Sequence, residues 1–356
     1  MAIATTLTNA LLTSLTVSAA LCLILVLTQR WLGMLTADDT QGIQKVHTTI
    51  TPRVGGFGIF LGFAFAIFLF TPSGSSLTWL VLIAALPAWI AGLAEDLTDR
   101  ISTRIRLLAT TISAALAWWL TGYTISSVDI PIIDQLLSWT PLALLFTLFA
   151  VAGVAHAINL IDGFNGLAAG TVLICLIALG VIASNQGDVE VLKITLLLMT
   201  ATLGFFILNY PFGKIFLGDG GAYALGFFIA WIAVMLASRH AESLSPWALL
   251  LICAYPVLET VFSILRRLQT NRRMDHPDRT HLHSLIFRRV IPRFFPNTNR
   301  NTRNALTAPL LWVFAAIPAA AGVYWQDNTM ACLLALVATT AVYMLLYRRV
   351  SRFSWF

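Results

Sequence analysis

Charge is scarce in this chain. Asp, Glu, Lys and Arg make up 11% of its 356 residues, against about 25% in an ordinary soluble protein. With 58% of the residues hydrophobic, a soluble domain, a disordered chain and a coiled coil are all excluded. Cysteine is scarce as well. Cys22, Cys175, Cys253 and Cys332 stand singly inside apolar runs, with neither metal nor redox spacing, and are read as core residues. No Lys or Arg precedes Arg30, so the first apolar run lacks the basic n-region of a signal peptide. A second soluble domain does not fit either, because the longest polar stretch is only the arm at 266–305. No internal repeat stands out, which withholds support from an inverted-repeat transporter. A nucleic-acid polymer is not expected as a partner.

What the chain has in abundance is apolar runs near the roughly 20 residues that cross a bilayer. Eleven stand out, at 10–30, 54–71, 77–94, 106–122, 141–158, 166–183, 191–209, 221–238, 246–265, 306–325 and 329–347. The expected fold class is an all-α polytopic membrane protein, with residues 1–356 forming a single integral membrane domain of about 11 spans. Lys and Arg set its orientation. With the N-terminus outside, 20 of the 22 Lys and Arg fall on the inner side, ten of them Arg between 266 and 303. Only Lys193 and Arg239 are outside, and the loop at 123–140 has no Lys or Arg at all. The C-terminus is then cytoplasmic, and 266–305 is a cytoplasmic arm.

Acids at membrane depth cost a few kcal/mol each, so their positions carry information. Six lie at or just beyond inner helix ends: Glu95, Asp96, Asp99, Asp162, Asp219 and Glu259. Such a cluster beside a basic arm suggests a site for a metal and phosphates. Five segments carry it. In the first, Lys45 and His47 could contact phosphate or a base, and Gly55-Gly56 would let backbone approach a ligand or a neighbouring helix; the alternative is an interfacial loop and a packing site. In the second, Glu95-Asp96 and Asp99 precede Arg100, Arg104 and Arg106, a set able to hold a metal and neutralise phosphate oxygens, or to bind phosphate through Arg alone. In the third, Asn159, Asp162 and Asn165 share one broad face on helical backbone, while Gly163 and Gly166 break the helix. In the fourth, Asp219 sits among glycines before the eighth run, either as an N-cap or as a metal bridge to an anion on exposed N–H groups. The fifth, Asp275 to His283 on the arm, places His281 and His283 two apart, on one face of extended chain; phosphate or sugar contact is preferred to structural zinc, since no Cys joins them. Beyond it, Leu282, Leu285, Ile286, Val290 and Ile291 alternate with Arg288 and Arg289, as in a basic amphipathic segment on the membrane.

From Lys45 to His283, these five motifs in this order resemble the polyprenyl-phosphate N-acetylhexosamine-1-phosphate transferases. The Pro277-Asp278-Arg279-x-His281-x-His283 pattern and eleven spans are more similar to bacterial enzymes that start O-antigen, enterobacterial common antigen or teichoic-acid linkage synthesis than to phospho-MurNAc-pentapeptide translocases. The resemblance implies transfer of a sugar-1-phosphate, GlcNAc first, from a UDP-sugar to undecaprenyl phosphate, with release of UMP. It implies Mg²⁺ or Mn²⁺, an inner-membrane location, an active site on the cytoplasmic face, and leaves a homodimer open. By position, Asp219 looks like a metal ligand with Asn159 or Asp162 nearby, and Asn165 like the residue that reads uracil. Lys45 belongs near the nucleotide, Arg104 matches a basic phosphate contact, and Arg279, His281 and His283 would touch sugar or pyrophosphate. Three positions depart from the pattern: Glu95 stands in an Asp-Asp pair, Asn165 where many bacterial members have Asp, and Ser284 where a third His is usual.

In that reaction a phosphate oxygen of the lipid attacks the β-phosphate of the UDP-sugar. Metal and Arg/Lys should then dominate catalysis. Asp96 is a candidate base, yet a phosphate monoester has its second pKa near 6 and is largely ionised at neutral pH, so Asp96 can instead organise the site. The rivals are MurNAc-pentapeptide phosphate transfer, an ion-coupled transporter using Asp162 and Asp219, and a membrane scaffold. A transporter predicts acids near the bilayer midplane, and a scaffold leaves the Gly-Asp motifs unexplained.

Overall fold

The computed structural model describes residues 2–36, 51–71, 76–269 and 280–352, with the side chains of the first helix described at 5–29. It is all-helical among these residues. The elements are α1 (Ala2–Thr36), α2 (Gly55–Phe70), α3 (Leu77–Thr98), α4 (Thr103–Thr121), α5 (Pro131–Leu137), α6 (Thr140–Ile161), α7 (Leu167–Asn185), α8 (Val189–Asn209), α9 (Gly218–Arg239), α10 (Pro246–Ile252), α11 (Ala254–Gln269), α12 (Leu282–Leu285), a π-helical turn (Ile286–Val290), α13 (Ile291–Phe294), α14 (Arg300–Tyr324) and α15 (Thr329–Arg352).

Every expected apolar run coincides with a helix or a broken helix. Eight helices are long and apolar enough to cross a membrane, and α10 with α11 makes up to nine. The remaining two runs are α2, apolar but 16 residues long, and α4, whose first turn carries Arg104 and Arg106. Apolar side chains such as Phe149, Trp119 and Leu27 stand more than two-thirds exposed on the outside of the bundle. That surface suits lipid, not water, and the protein is a multi-pass membrane protein.

The run at 246–265 is expected as one span but bends by 80° between α10 and α11. Pro256 is the cause. It has no N–H for the Ile252 carbonyl four residues back, and its ring clashes there. The Cys175 thiol of α7 donates to that carbonyl instead, at 3.2 Å. All four cysteines are free and buried.

α9 is the axis of the bundle and is almost wholly buried, packed on α2, α3, α6 and α7. Glycines let it approach so closely: a Cβ on Gly92 of α3 would lie 2.6 Å from the Asp219 carbonyl oxygen, and one on Gly56 would strike Gly221. The Gly55-Gly56 pair therefore serves helix packing. At the opposite end, the Asp188 carboxylate accepts from Arg239 Nε at 2.7 Å and lies 3.0 Å from His240 Nε2, joining the α7–α8 turn to the end of α9.

The segment from Leu282 onward does not present its apolar face to lipid. Leu282, Leu285 and Ile291 are at most 3% exposed, because α14 and α15 cover them. Both helices follow the arm in sequence, so the arm's own periodicity could not reveal that they return over it.

Candidate active site

The site begins where α9 begins. A helix starts with N–H groups that have no intrahelical partner, and here the last turn of α3 supplies one. Asp96, 6% exposed, accepts from the Asp219 N–H on Oδ1 at 2.8 Å and from the Gly220 N–H on Oδ2 at 2.9 Å. Gly218 makes this fit: its φ is +74°, and a Cβ there would lie 2.6 Å from Asp96 Oδ2. The N-cap position itself is Leu217, without a side-chain cap. Asp219 is therefore not the N-cap, and the amides that could have met an anion are engaged by Asp96.

The Asp219 side chain turns to the other side. Its Oδ2 is paired with the Arg106 guanidinium, and its Oδ1 accepts from Asn159 Nδ2 at 2.9 Å. Asn159 Oδ1 in turn accepts from the Tyr223 hydroxyl at 3.1 Å. The Arg106 guanidinium lies 5.8 Å from the Tyr223 ring centroid and 3.9 Å from Glu95 Oε1, while Glu95 Oε2 accepts from the Ile101 N–H at 2.6 Å. Glu95, Asp96, Asn159 and Asp219 are thus brought together as expected, by α3, α6 and α9. Arg106 from α4 completes the group, whereas Arg104 is exposed. The distinction was visible in spacing: Arg106 shares a helix face with Thr110, Ser113 and Ala117, all buried, and Arg104, two residues away, points elsewhere.

The turn at 162–166 lies next to this group. α6 ends at Ile161, so the face that Asn159, Asp162 and Asn165 would share on a helix does not form. Asp162 is half-buried. Burial pushes its carboxyl up to about 7, against the opposing charge of Arg53. Arg53 also lies 3.7 Å from exposed Asp99. Asn165 goes a different way. It is 3% exposed, its N–H donates to Asn304 Oδ1 at 2.8 Å, and its side-chain amide donates to the Pro211 carbonyl at 3.3 Å. The Gly166 N–H donates to Asn209 Oδ1 at 2.7 Å, so α8 and α14 clamp the turn from behind.

The arm meets this turn from another side. His281 and His283 do share a face, with rings stacked at 5.2 Å and 11°. His283 packs edge-on to Phe164 at 5.5 Å. His281 Nδ1 lies 3.1 Å from Glu259 Oε1. Glu259, expected at a helix end, lies instead inside α11, because the helix continues to Gln269 beyond the apolar run, and its contact with the arm spans too much sequence for spacing to reveal. Lys45, His47 and Arg279 lie outside the described residues.

No group of three His, Cys, Asp or Glu capable of holding a metal occurs among the described residues, so no closed protein cage is present here. The donors at Asp219 and Asn159 are all oxygen apart from one amide nitrogen. That set suits a hard cation such as Mg²⁺ or Mn²⁺, which is usually held by only one or two carboxylates with further oxygens from outside the protein.

The family model for glycosyl transferase family 4 matches residues 78–237, the stretch from α3 to α9 that builds this group. A probable undecaprenyl-phosphate N-acetylglucosaminyl 1-phosphate transferase of Bacillus subtilis (strain 168) is 29% identical over 247 residues, covering 69% of this chain and 68% of that protein. A decaprenyl-phosphate N-acetylglucosaminephosphotransferase of Mycobacterium leprae is 27% identical over 333 residues, covering 84% and 80%. An undecaprenyl-phosphate alpha-N-acetylglucosaminyl 1-phosphate transferase of Yersinia pestis is 28% identical over 254 residues, covering 70% and 69%.

Proposed function

We propose that this chain is a member of glycosyl transferase family 4, among the polyprenyl-phosphate hexosamine-1-phosphate transferases it resembles, and that it transfers GlcNAc-1-phosphate from UDP-GlcNAc to undecaprenyl phosphate. The observation that carries the reading is the convergence of Asp219, Arg106, Asn159 and Glu95 at the N-terminal end of α9, with Asp96 holding that end in place. The site faces the cytoplasm of a bacterial inner membrane, and the product begins a cell-surface polysaccharide.

The acceptor's chain stays in lipid while its phosphate reaches the group at the helix ends. A phosphate oxygen of the acceptor forms a bond to the β-phosphorus of the donor. The bond from that phosphorus to the bridging oxygen breaks, and UMP leaves with the electron pair. Arg106 and Arg53 offset charge that builds on the equatorial and bridging oxygens. Asp96 fixes the start of α9 and so the place of Asp219; the ionised acceptor needs no base. Mg²⁺ or Mn²⁺, held by Asp219 beside Asn159 and by the substrate phosphates, would supply positive charge against the pyrophosphate when bound. Asp162 and the arm's histidines border the turn where sugar or pyrophosphate would rest.

An ion-coupled transporter fits this geometry less well, because Glu95, Asp96, Asp162 and Asp219 sit at helix ends, not at midspan. Purified protein offered UDP-GlcNAc, UDP-GalNAc and UDP-MurNAc-pentapeptide with undecaprenyl phosphate tests the proposal. UDP-GlcNAc should give the fastest lipid-linked product. Preference for UDP-MurNAc-pentapeptide would reassign the donor, and no product from any donor would end the proposal.

A further inference from the structure

The proposed transfer leaves one buried acid without a task. Glu259 on α11 is 1% exposed, and a carboxylate in such a place is costly unless its oxygens are met. Three donors meet it. His281 Nδ1 at 3.1 Å and the Leu282 N–H at 2.9 Å share Oε1, and the Tyr343 hydroxyl donates to Oε2 at 3.1 Å. One side chain therefore joins α11, the start of α12 and α15.

Its neighbours connect it to the turn at 162–166. His281 has extended backbone before α12, with φ −62° and ψ 147°. Its ring stacks on His283, and His283 Nε2 lies 3.8 Å from where a Cβ on Gly163 would stand. Asp162 immediately precedes Gly163. A carboxylate beside Nδ1 selects the imidazole that carries its proton there, and the acceptor nitrogen is then Nε2. It also fixes the plane of the ring, and the stack passes that plane on to His283.

We infer that Glu259 is a positioning residue: it sets the tautomer and orientation of His281, and through the stack the place of His283, while Tyr343 holds Glu259 from the last helix. A packing role would not need the side chain's hydrogen bonds. Gln at this position keeps all three contacts, with its carbonyl oxygen accepting both N–H groups and its amide donating to the Tyr343 oxygen.

The kinetic part of the test rests on the proposed transfer, and the spectroscopic part does not. Detergent-purified full-length protein is compared as wild type, Glu259→Gln, Glu259→Ala, His281→Ala and the double variant Glu259→Ala/His281→Ala, each checked by thermal unfolding. Glu259→Ala should lower kcat by about 10–100-fold, the scale on which groups that orient a working histidine act, with KM for UDP-GlcNAc little changed. Glu259→Gln should recover most of the rate. The double variant should be no worse than His281→Ala, since one residue acts through the other. Full additivity of the two losses would overturn the inference. In protein with ¹⁵N-labelled histidine, with His281→Ala for assignment, the neutral His281 ring should carry its proton on Nδ1. A wild-type ring protonated on Nε2 would overturn the inference whatever the activity, and this spectrum decides alone if Glu259→Ala does not fold. Absence of UMP release by the wild type would instead remove the transfer proposal and leave the spectroscopic result standing.

Discussion

Replacing Asp96 by Asn separates a helix cap from a base. The native carboxylate accepts two backbone N–H groups, from Asp219 and Gly220, at the first turn of α9. An Asn side chain accepts one of them and turns its NH₂ toward the other, so a donor faces a donor. Losing one hydrogen bond to a charged acceptor costs about 1.5–3 kcal/mol, and losing negative charge at a helix N-terminus adds about 0.3–1 kcal/mol. The expected destabilisation is therefore about 2–4 kcal/mol. Unfolding entropy is about 2.1 cal/mol/K per residue, which for 356 residues corresponds to a fall in Tm of about 3–5 °C. Thermal unfolding followed by tryptophan fluorescence measures the first effect. UMP release between pH 6 and 9, at low and high Mn²⁺, measures the second, and part of the rate should return at high pH or high Mn²⁺. An unchanged Tm together with a flat, metal-independent loss of activity would refute the cap and make Asp96 a base.

Asp219→Asn should cut turnover by at least about 100-fold, the scale of losing a major electrostatic stabiliser, while the protein still folds; near-normal turnover at saturating Mg²⁺ would remove Asp219 from the metal site. Arg106→Ala should reduce kcat far more than Arg104→Ala, because only Arg106 lies against Asp219, and equal losses would contradict that assignment. For Asn165, UMP inhibition constants should weaken more in Asn165→Leu than in Asn165→Asp; a constant unchanged in Asn165→Leu, alongside a lower Tm, would assign the side chain to holding the Pro211 loop. Asp162 has its folded carboxyl pushed up to about 7 by burial, while an unfolded Asp titrates near about 4. The fold therefore retains a proton that the unfolded chain has lost, and stability should fall as pH rises from about 4 to about 7. Tm measured from pH 5 to 8 should drop more steeply for wild type than for Asp162→Asn, and parallel curves would contradict the burial of a charge there.

The helical layout was legible in the sequence because hydropathy reports directly on a bilayer. Each apolar run became a helix or a broken helix, and the motif acids did lie at helix ends. Glu95, Asp96, Asn159 and Asp219 were found because acids and amides at membrane depth are costly and conspicuous. The failures have a different origin. The bend at Cys253 was written in Pro256, three residues beyond it, yet uniform hydropathy concealed it. Asn165 departs from Asn159 because α6 ends at Ile161, so helical spacing no longer applies after that point. Leu282, Leu285 and Ile291 have the pattern of a membrane-surface segment, and only the return of α14 and α15 decides that protein covers them. Glu259 and His281 meet across 22 residues, and no local period encodes such a pair.

The measurement that bears most directly on the central claim is UMP release by the purified full-length protein. Given UDP-GlcNAc, undecaprenyl phosphate and Mg²⁺, the protein should release one UMP for each lipid-linked pyrophosphoryl sugar formed, and omission of either substrate should abolish both products. UMP release without undecaprenyl phosphate, or no UMP release when both substrates are present in folded protein, would contradict the account.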